Sequence, residues 1–237
     1  MTTIMETKTI GRAVGILYIL GTVFGIASAA VTSSISGSDD VLAAVESHQS
    51  QLALGALLVL AMGLVLAMIP VVAYPILSTF DTLLARGYFL FRSVLETVCY
   101  MLMAVALLML IPLSGSADVP RVWGTTLFDL EGAAQIGTIV FLIGASMFYL
   151  VLYRARLVPR WLSGWGLLAA IPYAIPVLLG LFTNVDISST STTTSLLDLP
   201  LGLQEMVLAV WLIVKGFDSG RITTQGGPAF HTAPSTR

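Results

Sequence analysis

Six apolar stretches, each of a length suited to crossing a bilayer, constrain this chain more than any other feature of its sequence. A membrane-spanning helix needs about 20 consecutive, mostly apolar residues, and the stretches cover residues 13–31, 51–77, 88–113, 133–153, 162–182 and 199–214. Inside lipid the backbone polar groups must be satisfied by the protein itself, which a helix does alone. The sequence therefore predicts an all-α fold, an integral membrane bundle of six transmembrane helices.

Composition excludes several other classes of protein. The chain is 57% hydrophobic and only 10% charged, whereas soluble domains carry about 25% charged residues. No basic patch suggests a nucleic-acid partner, so the expected partners are the lipid bilayer and a small-molecule or lipid ligand, with any protein partner left unspecified. The single cysteine, Cys99, excludes an internal disulfide and a cysteine-rich metal site. We predict no metal and no cofactor.

The basic residues predict the orientation of the bundle. Loops on the cytoplasmic side carry an excess of lysine and arginine. With the N-terminus inside, every lysine and arginine except Arg92 and Arg121 is cytoplasmic. Both termini are therefore predicted to be cytoplasmic. In this orientation Asp198 falls in an outer loop, and an aromatic belt is predicted near the inner interface at Tyr149, Tyr153, Trp161, Trp165 and Trp211.

Short connections between the stretches leave no room for a soluble domain. We predict a single six-helix transmembrane domain over residues 1–217 and a flexible cytoplasmic tail over residues 218–237. The first outer loop is predicted to form a brief helix on the membrane surface, with Val41, Leu42 and Val45 facing lipid. The third, over residues 184–198, is rich in serine and threonine and is predicted to be a solvated linker.

The first apolar stretch permits a second interpretation. It ends in Ala27-Ser28-Ala29, which is typical of a signal-peptide cleavage site. Its length and its two Gly-x-x-x-Gly spacings, starting at Gly11 and Gly21, favour a retained helix that packs closely against a neighbour.

Two glutamates fall where charge is costly. A charged side chain at the centre of a bilayer costs at least about 2.5–3.5 kcal/mol. Glu96 is ten residues from Arg86, and Glu205 is ten residues from Lys215, so each lies about 15 Å from the inner face. Both therefore approach the midplane of a hydrocarbon core about 30 Å thick. Arg92 lies about 9 Å deep and can reach either glutamate.

Further polar residues and two prolines are predicted at the same depth. Arg92, Glu96 and Tyr100 are spaced four apart and so share one helix face. The predicted polar cluster comprises Arg92, Glu96, Tyr100, Gln204, Glu205 and Tyr18. Helix breaks are predicted beside it at Pro172 and Pro176, since each proline removes a backbone donor.

Three interpretations of this cluster remain open. In one, it forms a pocket that binds or translocates a small solute, a proton or an amphipathic ligand, because a midplane acid can exchange a proton with a passing ligand. In another, the protein is a structural or regulatory subunit whose buried ion pair only clasps two helices. In the third, it is an intramembrane enzyme that acts on a lipid-like substrate with a glutamate as general acid or base. No nucleophile or phosphate-loop motif accompanies the glutamates.

The chain also resembles an uncharacterised family of bacterial membrane proteins, the domain of unknown function 4386. The resemblance reaches Phe217 and rests on these residues and runs: Gly11-Arg12-Ala13, Leu17-Tyr18, Arg92 with Glu96, residues 153–162, Leu199-Pro200, Gln204-Glu205-Met206 and residues 211–216. It implies a multi-pass protein of the bacterial cytoplasmic membrane. It implies no established activity, so no catalytic residue is transferred from it.

Overall fold

Helices form almost all of the structure, a computed structural model that describes residues 4–116, 118, 120–128, 131–182, 192–218 and 220. In chain order they are α1 (Ile4–Ser36), α2 (Val41–Ser47), α3 (Gln49–Phe80), α4 (Thr82–Phe89), α5 (Glu96–Ser114), α6 (Val122–Phe128), α7 (Glu131–Ala155), α8 (Arg160–Phe182) and α9 (Thr192–Val214). A π-helical turn, Leu90–Leu95, joins α4 to α5, so that the three form one continuous segment, the third span.

The prediction of six membrane-spanning helices is confirmed. Six helical segments in the described part of the chain are long and apolar enough to cross a membrane, namely α1, α3, the third span, α7, α8 and α9. Several run past the predicted bounds, because a helix continues through the polar residues that flank its apolar core. The protein is thus a multi-pass membrane protein.

The six spans form a ring in chain order. α1 packs on α3, α3 on the third span, the third span on α7, α7 on α8, α8 on α9, and α9 returns to α1, with a smaller contact between α3 and α7. Gly216, just after α9, lies against Lys8 and Gly11 in α1. The beginning of α1 and the end of α9 therefore lie together at one end of the ring.

A large hydrophobic core extends to that end of the ring. One continuous core joins fully buried side chains from α3, α4, α7, α8 and the segment after α9, including Ile76, Tyr88, Phe148, Leu162 and Phe217. Burying Phe217 at 3% exposure fastens the end of α9 to the bundle. Residues 221–237, most of the predicted tail, lie outside the described residues.

The opposite end of the ring is covered by the two short helices. α2 forms where a brief surface helix was predicted, and the Asp40 carboxylate caps it by accepting from the Ala43 N–H at 3.2 Å. The predicted orientation is wrong, because Val41, Leu42 and Val45 are buried against α1, α3 and α5 instead of facing lipid. The apolar side chains of α2 are removed from water more completely against the ends of the spans than they would be at the polar surface of a membrane.

The third outer loop is shorter than predicted. α9 already begins at Thr192, so residues 192–198 are helical and not a solvated linker. Asp198 consequently lies inside a membrane-spanning segment. Thr194 is only 8% exposed, and this packing outweighs the weak helix propensity of threonine and serine. Residues 183–191 lie outside the described part of the chain.

Candidate functional site

A widened helical turn in the third span carries Arg92. In the π-helical turn Leu90–Leu95 the backbone hydrogen bonds span five residues instead of four. The Glu96 N–H, for example, donates to the carbonyl of Phe91, five residues earlier. Ser93 fastens the turn to α3, because its hydroxyl donates to the Ala67 carbonyl at 2.7 Å. Single π-helical turns inside α-helices are rare and occur frequently at functional sites.

Arg92, Glu96 and Tyr100 form a hydrogen-bonded chain along one face of the third span, as their spacing predicts. Nη1 of Arg92 donates to both carboxylate oxygens of Glu96, at 2.8 and 3.0 Å. The Tyr100 hydroxyl donates to Glu96 Oε1 at 3.1 Å. The side chains of Arg92 and Glu96 are each 4% exposed. The Glu96 carboxylate is thus well supplied with donors from its own helix.

Arg92 also faces the fourth span. Its guanidinium carbon lies 4.7 Å from the centre of the Phe141 ring, a cation–π arrangement. Its Nε is buried and has no hydrogen-bond partner among the described residues. Part of the donor capacity of this arginine therefore remains unused.

Glu205 lies in the middle third of α9 and has a different environment from Glu96. Its side chain is only partly buried, and Oε1 accepts from the Tyr149 hydroxyl at a long 3.5 Å. Arg92 acts on Glu205 electrostatically but does not approach to ion-pair distance, since its contacts are with Glu96. The depths counted from the sequence allow Arg92 to pair with Glu96 or with Glu205. In the described structure it pairs with Glu96, on its own helix, and not with Glu205.

The other two predicted cluster residues are Gln204, next to Glu205 in α9, and Tyr18 in α1. Gln204 is fully buried, and its amide nitrogen donates to the Leu162 carbonyl at 3.1 Å. Its carbonyl oxygen has no hydrogen-bond partner in the part of the chain that the structure describes. Gln204 therefore joins α9 to α8 and does not hydrogen-bond Glu205. Tyr18 of α1 is 3% exposed and interacts electrostatically with Glu205 and Arg92.

Pro172 and Pro176 do not break the fifth span. α8 continues as a helix from Arg160 to Phe182 with both prolines inside it. Pro176 is buried and Pro172 partly buried, so neighbouring spans support α8 where the two backbone donors are missing. Tyr173, between the prolines, packs edge-on against Phe141 at 5.7 Å between ring centres. Tyr173 lies within electrostatic range of Glu205, Glu96 and Asp198.

Sequence reasoning placed Tyr149 wrongly. It was predicted in an interfacial belt, but it is fully buried and bonds to Glu205. Its ring packs directly on Gly166 of α8, where an added Cβ would come within 2.9 Å of three ring atoms. Depth alone could have indicated this position, since Tyr149 is five residues inside Arg154, about 7.5 Å into the membrane.

Asp198 is a second residue that the sequence prediction missed. It is partly buried in α9, seven residues before Glu205, and therefore lies on the same helix face. The i, i+7 spacing would have shown this had the helix been extended beyond its apolar core. Together with Thr194 it continues the polar face of α9 from Glu205 toward the end of the ring covered by α2 and α6.

The site is a set of side chains around the inside of the ring, contributed by five of the six spans. Within the described residues, no group of three or more histidine, cysteine or acidic side chains could hold a metal ion. Among the described side chains, the arrangement instead supplies one neutralised ion pair, two carboxyl groups without a cation in ion-pair contact, Glu205 and Asp198, and several tyrosine hydroxyls. Such groups can bind a polar solute or hold a proton.

Comparison with known proteins identifies the family. No curated protein and no solved structure matches the chain. The family model described as "Domain of unknown function (DUF4386)" matches residues 13–216, a range that includes most of α1, all of the other five spans and every residue of the site. The chain therefore belongs to the DUF4386 family.

Proposed function

We propose that the protein binds a small cationic solute inside its helix ring and exchanges a proton for it at Glu205. The observation that carries the proposal is the condition of the Glu205 carboxyl group. It lies in the middle of a span, keeps part of its surface accessible and, among the described side chains, has no cation in ion-pair contact. Its hydrogen bond, from Tyr149, is long at 3.5 Å.

The charge balance inside the ring favours this exchange. Arg92 is neutralised by the two contacts it makes with Glu96. An additional unpaired carboxylate near the bilayer midplane would cost at least about 2.5–3.5 kcal/mol. Glu205 therefore carries a proton when no cation is bound, and a bound cation can replace that proton without changing the net charge of the site.

The surroundings of Glu205 indicate the class of solute. Tyr18, Tyr149 and Tyr173 lie within electrostatic range of its carboxyl group, and Phe141 packs against Tyr173. Aromatic faces attract organic cations, more strongly when water is excluded. A carboxyl group among aromatic rings suits a small organic cation with an apolar body better than a strongly hydrated metal ion.

The clasp interpretation is less well supported by the geometry. A clasp requires a charged pair that joins two helices, whereas Arg92 and Glu96 are four residues apart on one helix. Removing one member of this pair would leave the other charge buried and uncompensated. The pair lies on one helix, however, so it does not fix the register of one span against another. The proposal of a binding site thus accounts for Glu205, which the clasp leaves without a role.

Calorimetric titration of the purified protein tests the exchange. Tetraphenylphosphonium and tetraalkylammonium ions serve as probes, in two buffers of different ionisation enthalpy. The wild-type protein is expected to bind at least one probe with release of a proton into the buffer. The Glu205→Gln variant, which has no proton to release, is expected to lose the proton release and to bind at least tenfold more weakly.

Glu46→Gln provides the matched control, because Glu46 is an exposed acid on α2. This variant is expected to keep both the affinity and the proton release. Proton release that persists in Glu205→Gln, or a wild-type protein that binds none of the probes, would contradict the proposal.

We further infer that the protein lies in a bacterial cytoplasmic membrane with both chain ends inside. The basic residues Lys8, Arg12 and Lys215 lie at the end of the ring that holds the start of α1 and the end of α9. Basic loops face the cytoplasm. The family resemblance supports a bacterial source.

Cysteine labelling tests this orientation. In a Cys99→Ala background, single cysteines are introduced at Asp118 and at Gly220, which are both exposed. A membrane-impermeant maleimide is expected to label position 118 in intact cells, and position 220 only after the membrane is permeabilised. The reverse labelling pattern would reject the inferred orientation.

A further inference from the structure

A cavity of about 560 Å³ lies at the end of the ring that holds the two chain ends. Its walls come from the turn between α7 and α8 and from the end of α9. They carry three cationic side chains, Arg156, Arg160 and Lys215, and one acidic side chain, Asp218, which leaves a net charge of +2. Trp211 contributes an aromatic surface to the same walls. The cavity is therefore both cationic and partly apolar.

Arg156 occupies an unfavourable backbone conformation. Its φ is +54°, the left-handed region, and it follows the last residue of α7. The residue that takes this conformation after a helix is commonly glycine. Gly216, which follows α9, is an example with a φ of +74°. A residue with a side chain costs roughly 1–2 kcal/mol more in this region. An arginine kept in such a position points to a role for its side chain.

Two hydrogen bonds from backbone N–H groups involve Asp218, one joining the walls of the cavity and one engaging its carboxylate. The backbone N–H of Asp218 donates to the Leu157 carbonyl at 2.9 Å, which joins the end of α9 to the α7–α8 turn. Oδ1 of Asp218 accepts from the Gly220 N–H at 3.0 Å. The carboxylate is thus engaged by its own turn, and within the described residues none of the three cations lies at ion-pair distance from an acid.

Arg160 and the helix it begins add to the positive potential. Its guanidinium carbon lies 5.2 Å from the centre of the Tyr153 ring, which restrains the side chain. It is also the first residue of α8, and the N-terminal end of a helix carries a partial positive charge. The cations therefore line a cavity whose backbone also favours an anion.

We propose that this cavity binds the phosphate group of an anionic ligand, most naturally the headgroup of an anionic phospholipid. Arginine presents paired donors that match phosphate oxygens. Trp211 and the stacked pair Trp161–Trp165, at 6.4 Å, are of the residue type that lies at the level of lipid headgroups. The site is separate from Glu205 and does not depend on the function proposed for it.

Native mass spectrometry of the full-length protein in detergent tests the proposal. Phosphatidylglycerol and phosphatidylcholine with the same acyl chains are added in separate samples. We expect one phosphatidylglycerol to be retained under conditions that remove phosphatidylcholine. Arg156→Gln should weaken this retention about tenfold, the loss expected for one hydrogen bond to a charged group.

Inorganic phosphate separates the two sources of the ligand. If the site takes a lipid headgroup, free phosphate fails to displace phosphatidylglycerol. If it takes a soluble anion, phosphate displaces the lipid and itself raises the melting temperature of the wild-type protein. A protein that retains no phosphatidylglycerol and whose melting temperature does not respond to phosphate would overturn the proposal.

Two further variants separate the site from general charge and from folding. Arg154→Gln removes an exposed arginine two residues away that does not line the cavity, and it should leave retention unchanged. Arg156→Gly removes the charge while relieving the backbone, so it should fold at least as stably as wild type and still lose the lipid. Equal losses in Arg154→Gln and Arg156→Gln, or full retention in Arg156→Gly, would overturn the proposal.

Discussion

Replacing Glu96 with glutamine is expected to destabilise the protein by about 3–5 kcal/mol, the cost of breaking a buried ion pair from one side. Arg92 is 4% exposed and makes its ion-pair contacts with Glu96 alone. Without that carboxylate its charge stays inside the ring, uncompensated. The melting temperature and the denaturant midpoint of the purified protein, followed by circular dichroism, measure the loss.

Glu205→Gln is the matched control for this change. It makes the same substitution at the same depth, but Glu205 has no cation in ion-pair contact. Its stability is therefore expected to stay at the wild-type level or to rise. The double variant Arg92→Gln/Glu96→Gln should recover much of the stability lost in Glu96→Gln. Equal destabilisation by Glu96→Gln and Glu205→Gln would show that the Arg92–Glu96 pair has no special part in stability.

The pair itself was predictable because it depends on one helix. Once an apolar stretch is assigned as a span, residues four apart lie on the same face whatever the other spans do. The chain of hydrogen bonds through Arg92, Glu96 and Tyr100 follows from that spacing. The number of spans was predictable for a similar reason, since it depends only on the length of each apolar stretch.

The surroundings of Glu205 were not predictable in the same way. Counting residues gives the depth of a side chain but not the direction in which its helix turns it. Tyr149 faces Glu205 because α7 and α8 pack closely where Gly166 leaves room for its ring. Gln204, next to Glu205 in the sequence, points instead to the carbonyl of Leu162. These contacts depend on the order and rotation of the helices in the ring.

Two local features were also missed in the sequence. The π-helical turn Leu90–Leu95 has an ordinary apolar composition apart from Arg92 and Ser93. Asp198 precedes Pro200 in a stretch rich in threonine, a composition that favoured a loop, yet α9 begins at Thr192 and contains Pro200. Neighbouring spans can support a helix where a proline removes a backbone donor. In both places tertiary packing selects the conformation, and sequence propensity alone selects another.

A substitution where α1 meets α9 is expected to destabilise the protein as well. An added Cβ at Gly15 would lie 2.4 Å from the Ala209 carbonyl oxygen and 2.8 Å from Cγ1 of Ile213. The nearer atom belongs to the backbone and cannot rotate away, so α1 must move. Gly15→Ala is expected to lose about 1–3 kcal/mol, the usual cost of overpacking, in spite of the better helix propensity of alanine.

Gly202→Ala is the matched control, because an added Cβ at Gly202 meets nothing within 4 Å. That variant should be unchanged or up to about 1 kcal/mol more stable, from helix propensity alone. Gly15 lies one turn before Tyr18 on α1, and Ala209 one turn after Glu205 on α9. The shift of α1 should therefore also weaken cation binding in Gly15→Ala but not in Gly202→Ala. Wild-type stability and binding in Gly15→Ala would mean that the close contact of α1 with α9 is not needed to hold the site together.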